Sequence, residues 1–425
     1  MAKYKFLSII YFLGIVSSSI ANMAGYSIQN FLRVPLLNIR LIDLAIIIIM
    51  LSFFYNISKK IKTSANSEGI IFWCFIFLIY EIFQLIKSWK DADINFQIAG
   101  IICTLSIFIA IDLLFFKLQR DKILNFLKFF LIVGTCTIII DNTYLLYSFL
   151  KGKIILTELN SRVTIKISGA RETVYTSVLL SFVYASSLYF VENSKSLKLK
   201  LLFAVAILSI YISLIYTFKR GDLVTIFFIT LIYIGFFSKN FSSRLFQVVT
   251  LLLIIGGVYF FVGDFFNKRG YNPVARIMQT AEFTVDVNNP DWEKGRSVPR
   301  TYAINAWKKN IWTGVGYNDL HNFGLPENIN TAHNFIITSL FHRGIVGTTI
   351  YLLILFLLFR NAVKLWFMIQ KKQGIEFDIY KLLIIASFFW LILFWNQEAI
   401  WEKYSLSIQF MYLGLISNFY NQIRN

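Results

Sequence analysis

The stretch LIDLAIIIIMLSFFYNI, residues 41–57, decides the class of this chain. Asp43 is its only charged residue, and the rest is almost entirely apolar. An α-helix of this length rises roughly 25 Å, close to the ~30 Å hydrocarbon core of a bilayer. A helix also satisfies its own backbone hydrogen bonds, which lipid cannot do. The stretch therefore predicts a membrane-spanning helix.

Similar apolar runs recur along the whole chain. Of the 425 residues, 57% are hydrophobic and 15% are charged, whereas soluble domains carry about 25% charged residues. The hydropathy rule predicts an all-α polytopic membrane protein with about twelve transmembrane helices. These lie near 5–22, 41–57, 69–87, 96–116, 124–146, 174–191, 200–217, 222–237, 246–263, 343–359, 380–395 and 404–420.

The spans divide the chain into three predicted segments. Residues 1–263 form an N-terminal bundle of about nine spans, 264–333 a large polar loop with short helices, and 334–425 a C-terminal bundle of about three spans. Lys3, Lys5 and the apolar run that follows them also resemble a secretory signal. We expect this run to be retained as the first span.

Lysine and arginine set the expected orientation. If the N-terminus is cytoplasmic, alternate short loops carry most of the basic residues inside, as the positive-inside rule requires. Both termini are then cytoplasmic, and the loop 264–333 is external. The acids of the predicted spans are expected near span ends and without a special role: Asp43, Glu81, Asp112 and Asp141. A proton-coupled transporter would need buried acids at the membrane midplane, and this arrangement argues against one.

Several arginines break this charge pattern because they fall at the outer boundary. Arg162 and Arg171 lie in the external segment 147–173, and Arg220 lies in TFKRGD, residues 217–222. Guanidinium groups gathered there indicate an anionic, lipid-linked ligand such as a pyrophosphate. Nucleic acid is a poor ligand for charges divided between hydrophobic spans. Arg220 as a snorkelling boundary anchor is the alternative.

The stretch TAHNFIITSLFHRGIVG, residues 331–347, is the strongest candidate for chemistry. His333 precedes an apolar segment that we predict to be helical and to end near Gly344, and Gly344 and Gly347 would let backbones approach closely. A neutral imidazole can accept the proton of an attacking hydroxyl. His342 lies nine residues after His333, on the opposite face of a continuous helix. A zinc site built from these two and His321 is therefore disfavoured.

The order His333-Asn334, nine residues, then Gly344-Ile345-Val346-Gly347 resembles the signature of the bacterial O-antigen ligase and polymerase superfamily. A second pair, His321-Asn322, lacks the glycines. Three further segments are similar to parts of that family: a loop that enters the middle spans, an arginine at a span end, and an arginine with an amphipathic helix and a glycine-rich turn. They are residues 162–180, 218–224 and 300–318.

The resemblance implies a multi-pass glycosyltransferase of the bacterial inner membrane with a periplasmic active site. It implies inverting chemistry without a metal or other cofactor. His333 would activate the acceptor hydroxyl, and Arg220 and Arg300 would bind the pyrophosphate of an undecaprenyl-linked glycan donor. Arg162 and Arg171 would be further candidates for that binding. Asn334, Gly344 and Gly347 would support the motif.

Three functions stay open at this point. The leading one is an O-antigen ligase, which transfers the polysaccharide to a lipid A–core sugar. The related polymerase, which joins repeat units on the same carrier, shares its chemistry. A transporter of lipid-linked oligosaccharides belongs to another class and would need a polar cavity at the membrane midplane.

Overall fold

The described residues are almost entirely helical, as predicted. In a computed structural model, the described residues are 1–23, 33–34, 39–59, 68–89, 100–101, 104–150, 155–159, 162–166, 175–217, 220–237, 248, 290–324, 334–395 and 403–424. The helices are α1 (Ala2–Met23), α2 (Leu41–Ser58), α3 (Glu68–Ser88), α4 (Ile107–Phe115), α5 (Arg120–Leu150), α6 (Tyr175–Asn193), α7 (Leu197–Thr217), α8 (Arg220–Phe236), α9 (Pro290–Lys308), α10 (Phe335–Ile369), α11 (Ile375–Trp395) and α12 (Lys403–Arg424). A short 3₁₀ helix covers Leu320–Phe323.

Two short antiparallel hairpins accompany the helices. One pairs β1 (Arg33–Val34) with β2 (Ile39–Arg40). The other pairs β3 (Ile155–Leu159) with β4 (Arg162–Lys166), with Leu159 opposite Arg162. This second hairpin lies in the segment 147–173, which the sequence predicts to be an external segment with no strands.

Four helices are long and apolar enough to cross a membrane within the described ranges. They are α2, α3, the part of α5 from Arg120 to Ile140, and α10. These helices make the chain a membrane protein, while the total of about twelve spans stays a prediction. Of the predicted span 246–263 only residue 248 is described, and much of the predicted loop 264–333 also lies outside the described residues.

The described chain divides into two compact units. The first comprises residues 1–11, 32–130 and 290–425. Within it, α10 packs against α3, α9, α11 and α12, and α12 packs against α4. The amide of Asn418 on α12 donates hydrogen bonds to the carbonyls of Leu113 at 2.6 Å and Phe116 at 2.9 Å. These bonds satisfy carbonyls at the end of α4 that the helix itself leaves open.

The second unit comprises residues 12–31 and 131–289. In it α6 packs against α7 and α8. The buried hydroxyl of Tyr184 on α6 bonds to the hydroxyl of Tyr211 on α7 and, at 2.8 Å, to that of Thr230 on α8. These three hydroxyls thus find partners on neighbouring helices, as polar groups in an apolar surrounding need.

Candidate active site

Helix α10 is broken at Gly344. This residue has φ +62° and ψ −167°, a conformation that helices exclude and that glycine adopts without steric cost. The 35-residue helix would extend roughly 52 Å if it were straight, well beyond a ~30 Å hydrocarbon core. The part after Gly344 alone reaches roughly 37 Å. The half-helix 335–343 is therefore not needed to cross the membrane.

The turn 311–316 satisfies the backbone groups that the break exposes. The amides of Val315 and Gly316 donate to the carbonyls of Phe341 at 2.8 Å and His342 at 3.0 Å. On the other side of the break, the amides of Ile345 and Val346 donate to carbonyls of the turn at 3.0 and 3.1 Å. An interrupted helix inside a membrane protein persists only where other protein groups supply such partners. The turn and the break therefore form one structural unit.

The glycines of the motif lie where no side chain fits. A Cβ atom on Gly344 would lie 2.4 Å from the carbonyl carbon and oxygen of Trp312 and from the amide nitrogen of Gly314. Gly314, with φ +65°, would meet the amide nitrogen of Gly344 at 2.5 Å. On Gly347 a Cβ would meet Cε1 of Tyr80 at 2.2 Å. Gly344 therefore shows the close backbone approach that the sequence predicts, whereas Gly347 lies against the Tyr80 side chain.

Asn334 is the N-cap of the half-helix 335–343. Its side-chain oxygen accepts a hydrogen bond from the amide of Ile337 at 3.0 Å, which satisfies one of the amides that a helix start leaves open. His333 directly precedes this cap in the sequence and itself lies outside the described residues. The Asn334 of the signature thus has a clear structural task, which is to begin the helix immediately after the histidine.

A buried ion pair lies beside the break. Nε of Arg343 donates to Oε1 of Glu81 at 2.6 Å, and the two side chains are 5% and 4% exposed. Oε2 of Glu81 accepts from the hydroxyls of Tyr317 and, at 3.1 Å, of Thr104. The carboxylate is thus paired and hydrogen-bonded on both oxygens, as a buried charge must be. Glu81 is therefore not the ordinary span-end acid that the sequence predicts, because it is buried and pairs with a residue from a distant part of the chain.

Aromatic rings enclose the guanidinium of Arg343. Its central carbon lies 5.4 Å from the ring centre of Phe77 and 5.6 Å from that of Tyr351, distances at which a cation is attracted to a ring face. The same three side chains help to line a cavity of about 10 Å³, roughly the space that one water molecule needs. Burial, reinforced by the charge of Glu81, raises the pKa of the Tyr317 phenol well above its usual value. Tyr317 therefore stays protonated and donates.

The C-terminal end of α3 holds the turn through a face of polar side chains. Gln84 donates from Nε2 to the carbonyl of Thr313 at 2.7 Å, and Lys87 donates to the Thr313 hydroxyl at 2.7 Å and to the Gly314 carbonyl. Ser88 accepts from the amide of Tyr317 at 3.0 Å. No role for these three residues was predicted from the sequence. Their spacing of three and four positions on an apolar helix is the signal that could have identified them.

The other two histidines have defined surroundings. His342 is buried, and its Nδ1 lies 2.9 Å from the carbonyl oxygen of Gly316. His321 lies in the 3₁₀ helix with Nε2 4.0 Å from a carboxylate oxygen of Asp319. Across the described ranges, no three histidine, cysteine or acidic side chains gather in a way that could hold a metal ion.

The predicted arginines divide between the two units. Arg300 is half-buried on α9, in the first unit, and α9 packs against α10. Ala303 and Ala306 of α9 share a core with Phe341 of the half-helix. Arg220 is the first residue of α8 and Arg162 the first of β4, both in the second unit. Arg171 lies outside the described residues.

Comparison with known families agrees with this site. The family model described as O-antigen ligase matches residues 203–352, which is about a third of the chain and includes the signature from His333 to Gly347. A search of curated proteins found no match. Residues 203–352 of this chain are thus similar to the O-antigen ligase family, which supports the resemblance seen in the sequence.

Proposed function

We propose that the chain is an O-antigen ligase of the bacterial inner membrane. It would move O-antigen polysaccharide from undecaprenyl pyrophosphate to a lipid A–core sugar at the periplasmic face. One observation carries the proposal: the signature that ends at Gly344 and Gly347 lies in the matched region, and both glycines occupy positions where a Cβ atom would collide. The family match also favours glycan transfer over the transporter alternative.

The proposed reaction is a single displacement. The acceptor hydroxyl oxygen attacks the anomeric carbon of the donor sugar as the bond from that carbon to the pyrophosphate oxygen breaks. The bonding electrons leave with undecaprenyl pyrophosphate, and the hydroxyl proton passes to the neutral imidazole of His333 and then to solvent. Attack opposite the leaving group inverts the anomeric configuration. Guanidinium groups would stabilise the charge that develops on the leaving pyrophosphate.

Deletion of the gene, followed by analysis of the lipopolysaccharide, tests this function. If the chain is a ligase, the core should carry no O-antigen, and the polymer should accumulate on the lipid carrier. If the chain is the related polymerase, the core should carry a single repeat unit. Gel electrophoresis of the lipopolysaccharide distinguishes these results. A normal ladder of polymer lengths would overturn both assignments.

The arginines should contribute mainly to donor binding. Arg220→Ala and Arg300→Ala should each weaken donor binding about tenfold to 100-fold, since a hydrogen bond to a charged group contributes about 1.5–3 kcal/mol. Lysine at either position should restore only part of this binding, because it cannot make a two-pronged contact with phosphate. The dependence of the initial transfer rate on donor concentration measures the effect.

Lys308→Ala is the matched control for Arg300. Lys308 is an exposed cation on the same helix, α9, and its loss should leave donor binding near the wild-type value. If lysine restores full binding at position 300, the proposed two-pronged contact is absent.

A further inference from the structure

We infer that Glu81 on α3 is a positioning residue for glycan transfer. Through Arg343 it fixes the break in α10 and hence the half-helix 335–343, whose cap Asn334 follows His333 in the sequence. The inference rests on the proposed function and goes beyond it, because α3 lies outside the matched residues 203–352. It assigns part of the active-site architecture to the N-terminal half of the chain.

The first step of the argument is the position of Arg343. It is the residue directly before Gly344, so whatever holds its side chain holds the end of the half-helix 335–343. Glu81 holds the guanidinium at 2.6 Å, and the neighbouring Tyr80 donates its hydroxyl to the carbonyl of Arg343 at 2.5 Å. Adjacent residues of α3 therefore fix both the side chain and the backbone at the break.

The second step is the effect of a tilt at the break on the far end of the half-helix. Its nine residues span roughly 13 Å, with Arg343 at one end and the cap Asn334 at the other. A tilt of about 5° at the break would therefore move the cap Asn334, the sequence neighbour of His333, by roughly 1 Å. A displacement of this size at a reacting group can reduce the rate about 100-fold.

The third step is the link between Glu81 and the turn. Tyr317, which donates to Glu81, directly follows the turn 311–316. The backbone amides and carbonyls of that turn form the hydrogen bonds with the break. The Glu81 carboxylate thus joins three elements: α3, the turn and α10. Both of its oxygens are occupied by protein partners, Arg343, Tyr317 and Thr104, and so we assign it a positioning role.

A second buried carboxylate provides a matched control. Asp112 on α4 is 2% exposed, and its oxygens bind Nζ of Lys3 at 2.5 Å and the hydroxyl of Tyr4. It therefore has the same kinds of partner as Glu81, a cation and a phenol, in the same unit. Its bonds reach α1 and not the break in α10.

The test compares Glu81→Ala, Glu81→Gln and Asp112→Ala in the full-length chain in membrane vesicles. Glu81→Ala should lower kcat by about tenfold to 100-fold with the donor KM nearly unchanged. Glu81→Gln should retain an intermediate kcat, because its amide oxygen still accepts from Arg343. Asp112→Ala should leave kcat per folded molecule near the wild-type value.

The reaction of histidines with diethyl pyrocarbonate provides a readout that does not need activity. Mass spectrometry should find His342, which is 5% exposed, protected in the wild type and in Asp112→Ala. It should become reactive in Glu81→Ala, since the break then loosens. His321, whose side chain is 29% exposed, serves as the reactive reference in every sample.

These two readouts separate the possible failures. Equal losses of kcat in Glu81→Ala and Asp112→Ala, or a His342 that stays protected in both, would overturn the positioning role. A wild-type chain that transfers no glycan would instead overturn the proposed function. The protection of His342 would then still decide whether Glu81 fixes the break.

Discussion

His333→Ala is expected to abolish glycan transfer. If the imidazole accepts the proton of the acceptor hydroxyl, its loss should lower kcat by about 10²–10⁴-fold, the usual contribution of a general base. Donor binding should persist, because the proposed pyrophosphate contacts come from arginines. Transfer from a purified lipid-linked donor, measured with the protein reconstituted in vesicles, and donor binding measured separately would show this division.

The chain contains its own control for this substitution. His321 is also followed by asparagine, but no pair of glycines follows at the signature spacing. Its place in the 3₁₀ helix after the turn gives it a partly exposed side chain near Asp319. His321→Ala should therefore retain transfer. Full activity of His333→Ala, or equal losses in both variants, would remove the assigned base.

Much of the fold follows from local sequence. Apolar runs such as 41–57 predict helices because only a continuous helix satisfies its backbone in lipid. The glycine of the break is also readable, since the apolar segment 335–341 is interrupted at Gly344. The strand Arg162–Lys166 alternates polar and apolar residues, which is a strand signal, whereas its partner Ile155–Leu159 does not alternate and could not be predicted in this way.

The network around the break could not be predicted in the same way. Glu81 and Arg343 are 262 residues apart in the chain, and no periodic pattern connects two residues so distant. The polar face of α3, with Gln84 and Lys87, was visible, but the same pattern is typical of a helix end at a membrane boundary. Only the tertiary contact shows that these side chains hold the turn 311–316.

Gly344→Ala should inactivate the protein, because the added Cβ would collide with backbone atoms and no side-chain rearrangement can relieve that collision. Alanine at φ +62° costs about 1–2 kcal/mol, and its Cβ would meet backbone atoms of Trp312 and Gly314 at 2.4 Å. The turn must then move away from the break. We expect a loss of transfer of more than about 100-fold and a lower unfolding temperature in detergent. Gly314→Ala should behave alike, because it faces the same contact.

Gly347→Ala offers the contrasting case, because its Cβ would meet a side chain. The nearest atoms are Cε1 of the Tyr80 ring at 2.2 Å and Cβ of Arg343 at 2.8 Å. Because the Tyr80 ring can shift more readily than the backbone around Gly344, Gly347→Ala should lower transfer less than Gly344→Ala. Gly69→Ala, at a site with nothing within 4 Å, should be tolerated. A loss of transfer in Gly347→Ala as large as that in Gly344→Ala would show that the backbone contact between the turn and the break does not set the geometry of the site.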